Sequence, residues 1–179
     1  MTLTQRLSVE DYLALPECKP YLEYVGGEAV AKMAPAWEHF ILAGRLLALL
    51  AEYGGSHGGV SGADGRAEFG HADDLRLLLP DVAYYSASRQ PRGRRAMTPP
   101  TLAVEIRSPD ESMASQREKC HYYVTHGVDV ALLVDPANRA AEVFQGGRHL
   151  VFEDPAVVTL DSLPGLEFKL GELFAGLDD

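Results

Sequence analysis

Leu77-Leu78-Leu79-Pro80-Asp81-Val82-Ala83-Tyr84-Tyr85 and Thr101-Leu102-Ala103-Val104-Glu105-Ile106-Arg107 are the two runs that decide how this chain folds. Each is apolar and each holds one acid. A Ser108-Pro109 turn follows, then a helical segment carrying Lys119. Strand geometry repeats every two residues, so Ala103, Glu105 and Arg107 share one face, and Leu102, Val104 and Ile106 the other. A carboxylate in so apolar a strand is costly to bury unpaired. A metal ion, a cation such as Arg107, or solvent in a cleft must offset that cost. If strand 77–85 lies beside strand 101–107, Asp81 and Glu105 reach one point, within roughly 4–6 Å, the span of one shared cation. Mg²⁺ is usually held by one or two carboxylates with water and substrate phosphate, so two acids suffice. From spacing alone, a strand-end acid and a surface Glu–Arg pair remain the commoner explanation.

The flanking segments complete a mixed α/β pattern. Ser8 caps a short helix with Asp11 at its third position, and Pro16 ends it. Tyr21–Val25 and Glu28–Met33 read as strands joined through Gly26-Gly27, which supplies the positive φ of a tight turn. Trp37–Tyr53 reads as a largely buried helix stopped by Gly54-Gly55, with His39 facing inward beside Leu42, Ala43 and Leu46. Arg66–Gly70 is a candidate short strand. Ser108, Pro109 and Glu111 fit a capping box that starts a second helix, running to about Thr125 with Gly127 beyond it. Val130–Val134 is a buried strand, Asp135-Pro136-Ala137-Asn138 a turn, and Ala140–Phe144 and His149–Phe152 a hairpin about Gly146-Gly147. Leu166–Leu170 alternates as a strand, with a short closing helix over Gly171–Leu177. The expectation is one domain over residues 1–179, with one central mixed sheet flanked by two main helices.

Composition narrows the function. A net charge of −10 argues against a sequence-independent electrostatic grip on nucleic acid, though not against a local basic groove. Cys18 and Cys120 show neither disulfide-framework nor metal spacing, and read as free thiols of a reducing compartment. The N-terminus lacks a hydrophobic signal core and no apolar run reaches membrane-spanning length, so a soluble cytoplasmic protein is expected.

Three further groups carry candidate chemistry. Lys119 rides on the helix that leaves the Glu105 strand, so it can return over the sheet to orient or activate a water, or stabilise a developing negative charge. Its neighbours Arg117 and Glu118 equally describe a solvated charged face. Arg89, Arg92, Arg94 and Arg95 concentrate in one loop between the two acids, where Arg92, Arg94 and Arg95 are candidates for phosphate contact. A basic loop with no ligand fits that stretch as well. His71-Ala72-Asp73-Asp74 resembles a metal cluster but reads better as a polar turn.

Leu22-Glu23-Tyr24-Val25-Gly26-Gly27-Glu28, Trp37-Glu38-His39, Pro80-Asp81-Val82-Ala83, Pro100 to Pro109, Lys119 with Tyr122-Tyr123, Gly127-Val128 and Val134-Asp135-Pro136 occur here in one order. As an ordered set they resemble the Uma-two restriction endonuclease family of the PD-(D/E)xK nuclease superfamily. The resemblance implies a restriction-endonuclease-like core, a Mg²⁺ or Mn²⁺ cofactor, and DNA as partner, with a homodimer left open. It matches Asp81 and Glu105 to metal-binding acids, Glu23 to an acid that completes the site, and His39 to a histidine of the first long helix. The superfamily's lysine two residues after the Glu is Arg107 here. Arginine stays protonated and cannot act as a base, so Lys119 is the candidate replacement. Two other departures are Gly26, where the family has a turn acid, and the missing aromatic before Val134. The function expected is metal-dependent hydrolysis of DNA phosphodiester bonds. The competing reading is a nuclease fold without catalysis, serving as a binding or assembly module; an RNA or small-molecule phosphodiesterase is not separated from the first by sequence.

Overall fold

The computed structural model describes residues 6–17, 19–32, 36–90 and 98–177. In chain order it contains helix α1 (Val9–Leu13), strands β1 (Leu22–Val25) and β2 (Glu28–Ala31), and helix α2 (Trp37–His57). Strands β3 (Val60–Ala63), β4 (Ala67–Phe69), β5 (Arg76–Leu78), β6 (Val82–Tyr85) and β7 (Leu102–Ile106) precede helix α3 (Met113–Thr125). Strands β8 (Val130–Asp135), β9 (Ala140–Gln145), β10 (Arg148–Glu153), β11 (Val157–Thr159) and β12 (Glu167–Lys169) lead to helix α4 (Leu170–Leu173). Among the described residues no helix is long and apolar enough to cross a membrane. Cys120 is buried and free, while Cys18 lies outside the described residues.

The centre is a mixed six-stranded sheet, β10-β9-β8-β7-β6-β3, with β7 and β8 parallel and joined through α3. Its two faces follow the strand period. Leu102, Val104, Ile106, Leu132 and Val134 pack against Leu42, Leu46 and Leu50 of α2. Ala103, Ala131 and Leu133 pack against Cys120, Tyr122 and Tyr123 of α3. Each fully buried leucine here contributes about 1.5–3 kcal/mol by leaving water.

Among the described residues the expected single sheet is instead three. β2-β1-β5-β4 form a second sheet, and β11-β12 a small third. The run 77–85 is therefore not one strand. β5 pairs with β1 and β4, whereas β6 pairs with β3 and β7. The switch falls at Leu79-Pro80-Asp81. Pro80 has no N–H to give a ladder, so pairing stops and the chain turns into the other sheet.

Both main helices depart from their expected limits. α2 continues through Gly54-Gly55 and ends at Gly58, whose φ of 71° is the left-handed cap. Gly54 permits close approach rather than termination: a Cβ there would meet the Gly59 carbonyl oxygen at 2.8 Å. Nor is α2 buried on most sides; Trp37 is 70% and Phe40 61% exposed. α3 begins four residues later than expected, because Ser112 caps it by accepting from Ser115 N at 3.1 Å. One half of the Ser108–Glu111 box forms, with Ser108 N donating to Glu111 Oε2 at 2.9 Å, while Glu111 N donates to the Ser108 carbonyl at 3.0 Å and closes a turn ahead of the helix. The hairpins about Gly26-Gly27 and Gly146-Gly147 fall where expected.

Candidate active site

Asp81 sits where the chain passes from the second sheet into the central one. β6 and β7 are antiparallel with Val82 opposite Val104. Continuing that register by one residue sets Asp81 beside Glu105, on one face, where directly opposed Cβ atoms stand about 4.5–5.5 Å apart. The placement is fastened by Ile106 N, which donates to Asp81 Oδ2 at 2.7 Å. Both acids are buried, at 5% and 3% exposure.

α3 delivers two groups to Glu105 from one helical face, four residues apart. Lys119 Nζ donates to Glu105 Oε2 at 3.1 Å, and Tyr123 Oη donates to Glu105 Oε1 at 2.6 Å. The same ammonium reaches Glu23 on β1 at 3.0 and 3.3 Å. Leu79 N also donates to Glu23 Oε1, at 2.8 Å, so the sheet switch and the acid on β1 hold each other. Asp81 has two side-chain partners of its own. Lys32 Nζ lies 2.8 Å from Oδ1 and His39 Nε2 lies 3.0 Å from Oδ2. Lys32 is further bound to Asp64 Oδ1 at 2.7 Å and to the Leu79 carbonyl at 2.8 Å.

These contacts set the charge states. Burial pushes Asp81 up, but the His39 hydrogen bond and the Lys32 charge outweigh it and hold the carboxyl well below its usual range. Burial wins at Glu105. Lys119 offsets it in part, Asp81 adds repulsion, and the carboxyl is raised to about 7. Burial lowers Lys119, yet Glu105 and Glu23 outweigh that and raise it above an ordinary lysine, so it remains an ammonium. Lys32 and His39 are likewise lowered by burial and raised further by Asp81, with a net increase. Tyr123 is pushed well above its ordinary value by burial and by Glu105. The two flanking carboxylates thus favour the ammonium form of Lys119.

The structure gathers Glu23, Asp81, Glu105, Lys119 and His39 into one connected cluster. Arg107 does not join it: its Nε donates to the Glu111 carbonyl at 2.9 Å and Nη1 to Asp135 at 3.0 Å. Arg89 pins its loop to the Gly127 carbonyl at 2.6 Å and to Asp129 at 2.7 Å. Arg92, Arg94 and Arg95 lie outside the described residues. The His71–Asp74 stretch includes a 3-10 turn, Ala72–Asp74. Sequence reasoning missed Lys32 and Tyr123. The signal for Tyr123 was its spacing of four from Lys119 on a helix. Lys32 had only the weaker sign of a lone cation ending an apolar strand.

The donors suit a hard divalent cation in kind. A carboxylate oxygen carries two lone pairs. Among the described residues, Asp81 Oδ2 has used both, whereas Asp81 Oδ1 and both Glu105 oxygens each have one left. No group of three or more His, Cys, Asp or Glu among the described residues is arranged to hold a metal. A cation here would rest on two carboxylates plus water and substrate, as Mg²⁺ commonly does.

Two cavities adjoin the cluster and share His39. One, of about 380 Å³, is lined by His39, Arg107 and Arg139. The other, of about 680 Å³, opens on Asp81 and Lys32.

No curated protein matches this chain. Its fold is similar to that of a crystallised putative nuclease of the DUF820 family from Anabaena variabilis, at 24% identity and a TM-score of 0.82, over 94% of this chain and 97% of that one. The sequence model of the Uma2 family, described as putative restriction endonuclease, matches residues 9–171, and the chain belongs to that family.

Proposed function

We propose that this chain is a divalent-metal-dependent endonuclease, a single cytoplasmic domain that hydrolyses DNA phosphodiester bonds. The observation that carries the reading is the buried convergence of Glu23 from β1, Asp81 from the β5–β6 connection, Glu105 from β7 and Lys119 from α3. Such a cluster is expensive to assemble and adds little net stability over an apolar core. It is well suited to charge that develops on a phosphate. Asp81 and Glu105 would hold Mg²⁺ or Mn²⁺, which supplies neutralisation of the scissile phosphate and an activated water. Lys119, fixed as an ammonium between two acids, stabilises negative charge and orients Glu105. Tyr123 fixes the other Glu105 oxygen. His39 and Lys32 hold Asp81 ionised.

The same contacts favour a second reading. Asp81 is already paired with Lys32 and His39, which suits a nuclease fold that binds without cutting. Metal separates the two. With Mn²⁺, wild type should nick supercoiled plasmid, and Asp81→Ala and Glu105→Ala should lose about 10²–10⁴-fold, the scale of a lost essential group. Mn²⁺ should also raise the melting temperature of wild type and of neither variant. Absence of both effects in wild type favours the binding module.

A further inference from the structure

The 680 Å³ cavity is larger and more apolar than coordination of a phosphate requires. It is lined by Tyr21, Phe40, Ala43 and Leu47 together with Lys32 and Asp81. The first turn of α2 ties these groups together: His39 reaches Asp81 at 3.0 Å, and the next residue, Phe40, lines the cavity. Phe40 is 61% exposed and stacks on Trp37, which is 70% exposed, with ring centroids 5.8 Å apart. Phe40, open and lining the cavity with Trp37 stacked on it, fits planar partners.

Gly44 is the second observation. It sits inside α2, where glycine is a poor helix former. A Cβ at Gly44 would meet nothing within 4 Å, so packing does not demand the glycine. It lines the cavity, and its missing side chain keeps that space open.

We propose that this cavity receives an unstacked nucleobase of single-stranded nucleic acid, with the adjoining phosphate over Asp81 and Lys32. The inference rests on the endonuclease reading and narrows its substrate to a strand whose bases are unpaired. The charge balance agrees. A chain of net charge −10 gains little from general phosphate neutralisation, whereas base stacking on aromatic walls is independent of that balance. An apolar cavity ending in a few polar groups also suits a ligand that is planar at one end and anionic at the other.

The test uses the full chain in Ca²⁺ buffer. Anisotropy of a labelled oligothymidylate is measured beside its abasic counterpart, a duplex of equal length and free thymidine monophosphate. Trp37, the single tryptophan, reports stacking through its fluorescence. Wild type should bind the intact strand more tightly than the other three ligands, with quenching of Trp37. Gly44→Leu puts a side chain into the cavity from a position where a Cβ meets nothing within 4 Å, and leucine is the better helix former, so the variant should melt no lower than wild type. It should weaken binding of the intact strand by about 5- to 100-fold, the scale of a lost base stack, and leave the abasic strand unaffected. Phe40→Ala should act in the same direction. Equal binding of duplex or abasic strand, equal binding of the mononucleotide, or wild-type affinity in Gly44→Leu overturns the proposal. If Gly44→Leu cleaves the single-stranded oligonucleotide with Mn²⁺ in an Asp81-dependent manner at the wild-type rate, the base pocket falls and the endonuclease reading stands. If Mn²⁺ and Asp81 have no bearing on any cleavage, the endonuclease reading falls first.

Discussion

Lys119→Met tests the energetics of the cluster directly. Methionine keeps the apolar stem and removes only the charge and its three hydrogen bonds, at 3.0 and 3.3 Å to Glu23 and 3.1 Å to Glu105. Removing one partner of a buried ion pair costs about 3–5 kcal/mol, because the other charge stays buried alone. The Lys119 side chain is 18% exposed, and those of Glu23 and Glu105 12% and 4%, so about 3 kcal/mol is the reasonable figure. The loss should depend on pH with a definite sign. Glu105 has a raised folded-state pKa, so its contribution to stability is full below its unfolded value of 4.5 and is lost as pH rises through about 7. Lys119 moderates that loss, and its removal carries the upper end of the window higher. Near pH 5 Glu105 is protonated in both proteins, and the penalty reduces to the Glu23 contact. Near pH 8 the variant must bury a charge or bind a proton, and the penalty is largest. Urea unfolding at both pH values measures this, and adding Glu105→Gln should recover much of the loss at pH 8. A penalty of about 1 kcal/mol or less, the scale of an exposed pair, or one equal at both pH values, would refute the buried-cluster account.

Three other outcomes follow from the same contacts. Glu105→Gln alone should flatten the dependence of melting temperature on pH between 4.5 and about 7 and leave the protein relatively more stable at pH 8. Asp81 has the opposite sign: its lowered pKa contributes stability present above 3.8 and lost as pH falls through the folded value. Asp81→Asn should therefore destabilise at pH 7 and cost much less in strong acid, as read by denaturant titration. Arg107→Lys should weaken the hold on Glu111 and Asp135 by about 1 kcal/mol without raising plasmid nicking; a gain in nicking would show that position 107 can reach the reacting centre.

The parts of the site legible in the sequence are those with local spacing. Glu105 stands out because one charge interrupts an apolar strand, and the period of two is enough to assign its face. His39 is legible for a similar reason, sharing a helical face with Leu42 and Leu46. What local spacing does not carry is partnership across the chain. Glu23 and Lys119 are 96 positions apart, and only the family resemblance, not periodicity, brings Glu23 forward. Lys32 stays hidden because its partners, Asp64, Leu79 and Asp81, become neighbours only when β5 and β6 enter different sheets. That division is also where the reading of the fold fails. Leu77 to Tyr85 is apolar apart from Asp81, and apolar character does not say which sheet a residue joins. Pro80 is visible as punctuation, but punctuation inside a strand-like run can mean an edge, a bulge or a change of sheet. Here the change of sheet places Asp81 at the seam, where Leu79 N reaches Glu23 on one side and Asp81 accepts from Ile106 N on the other. The seam, more than any single motif, brings the acids of two sheets onto one helix face, and so the fold's least legible feature is the one that assembles the site.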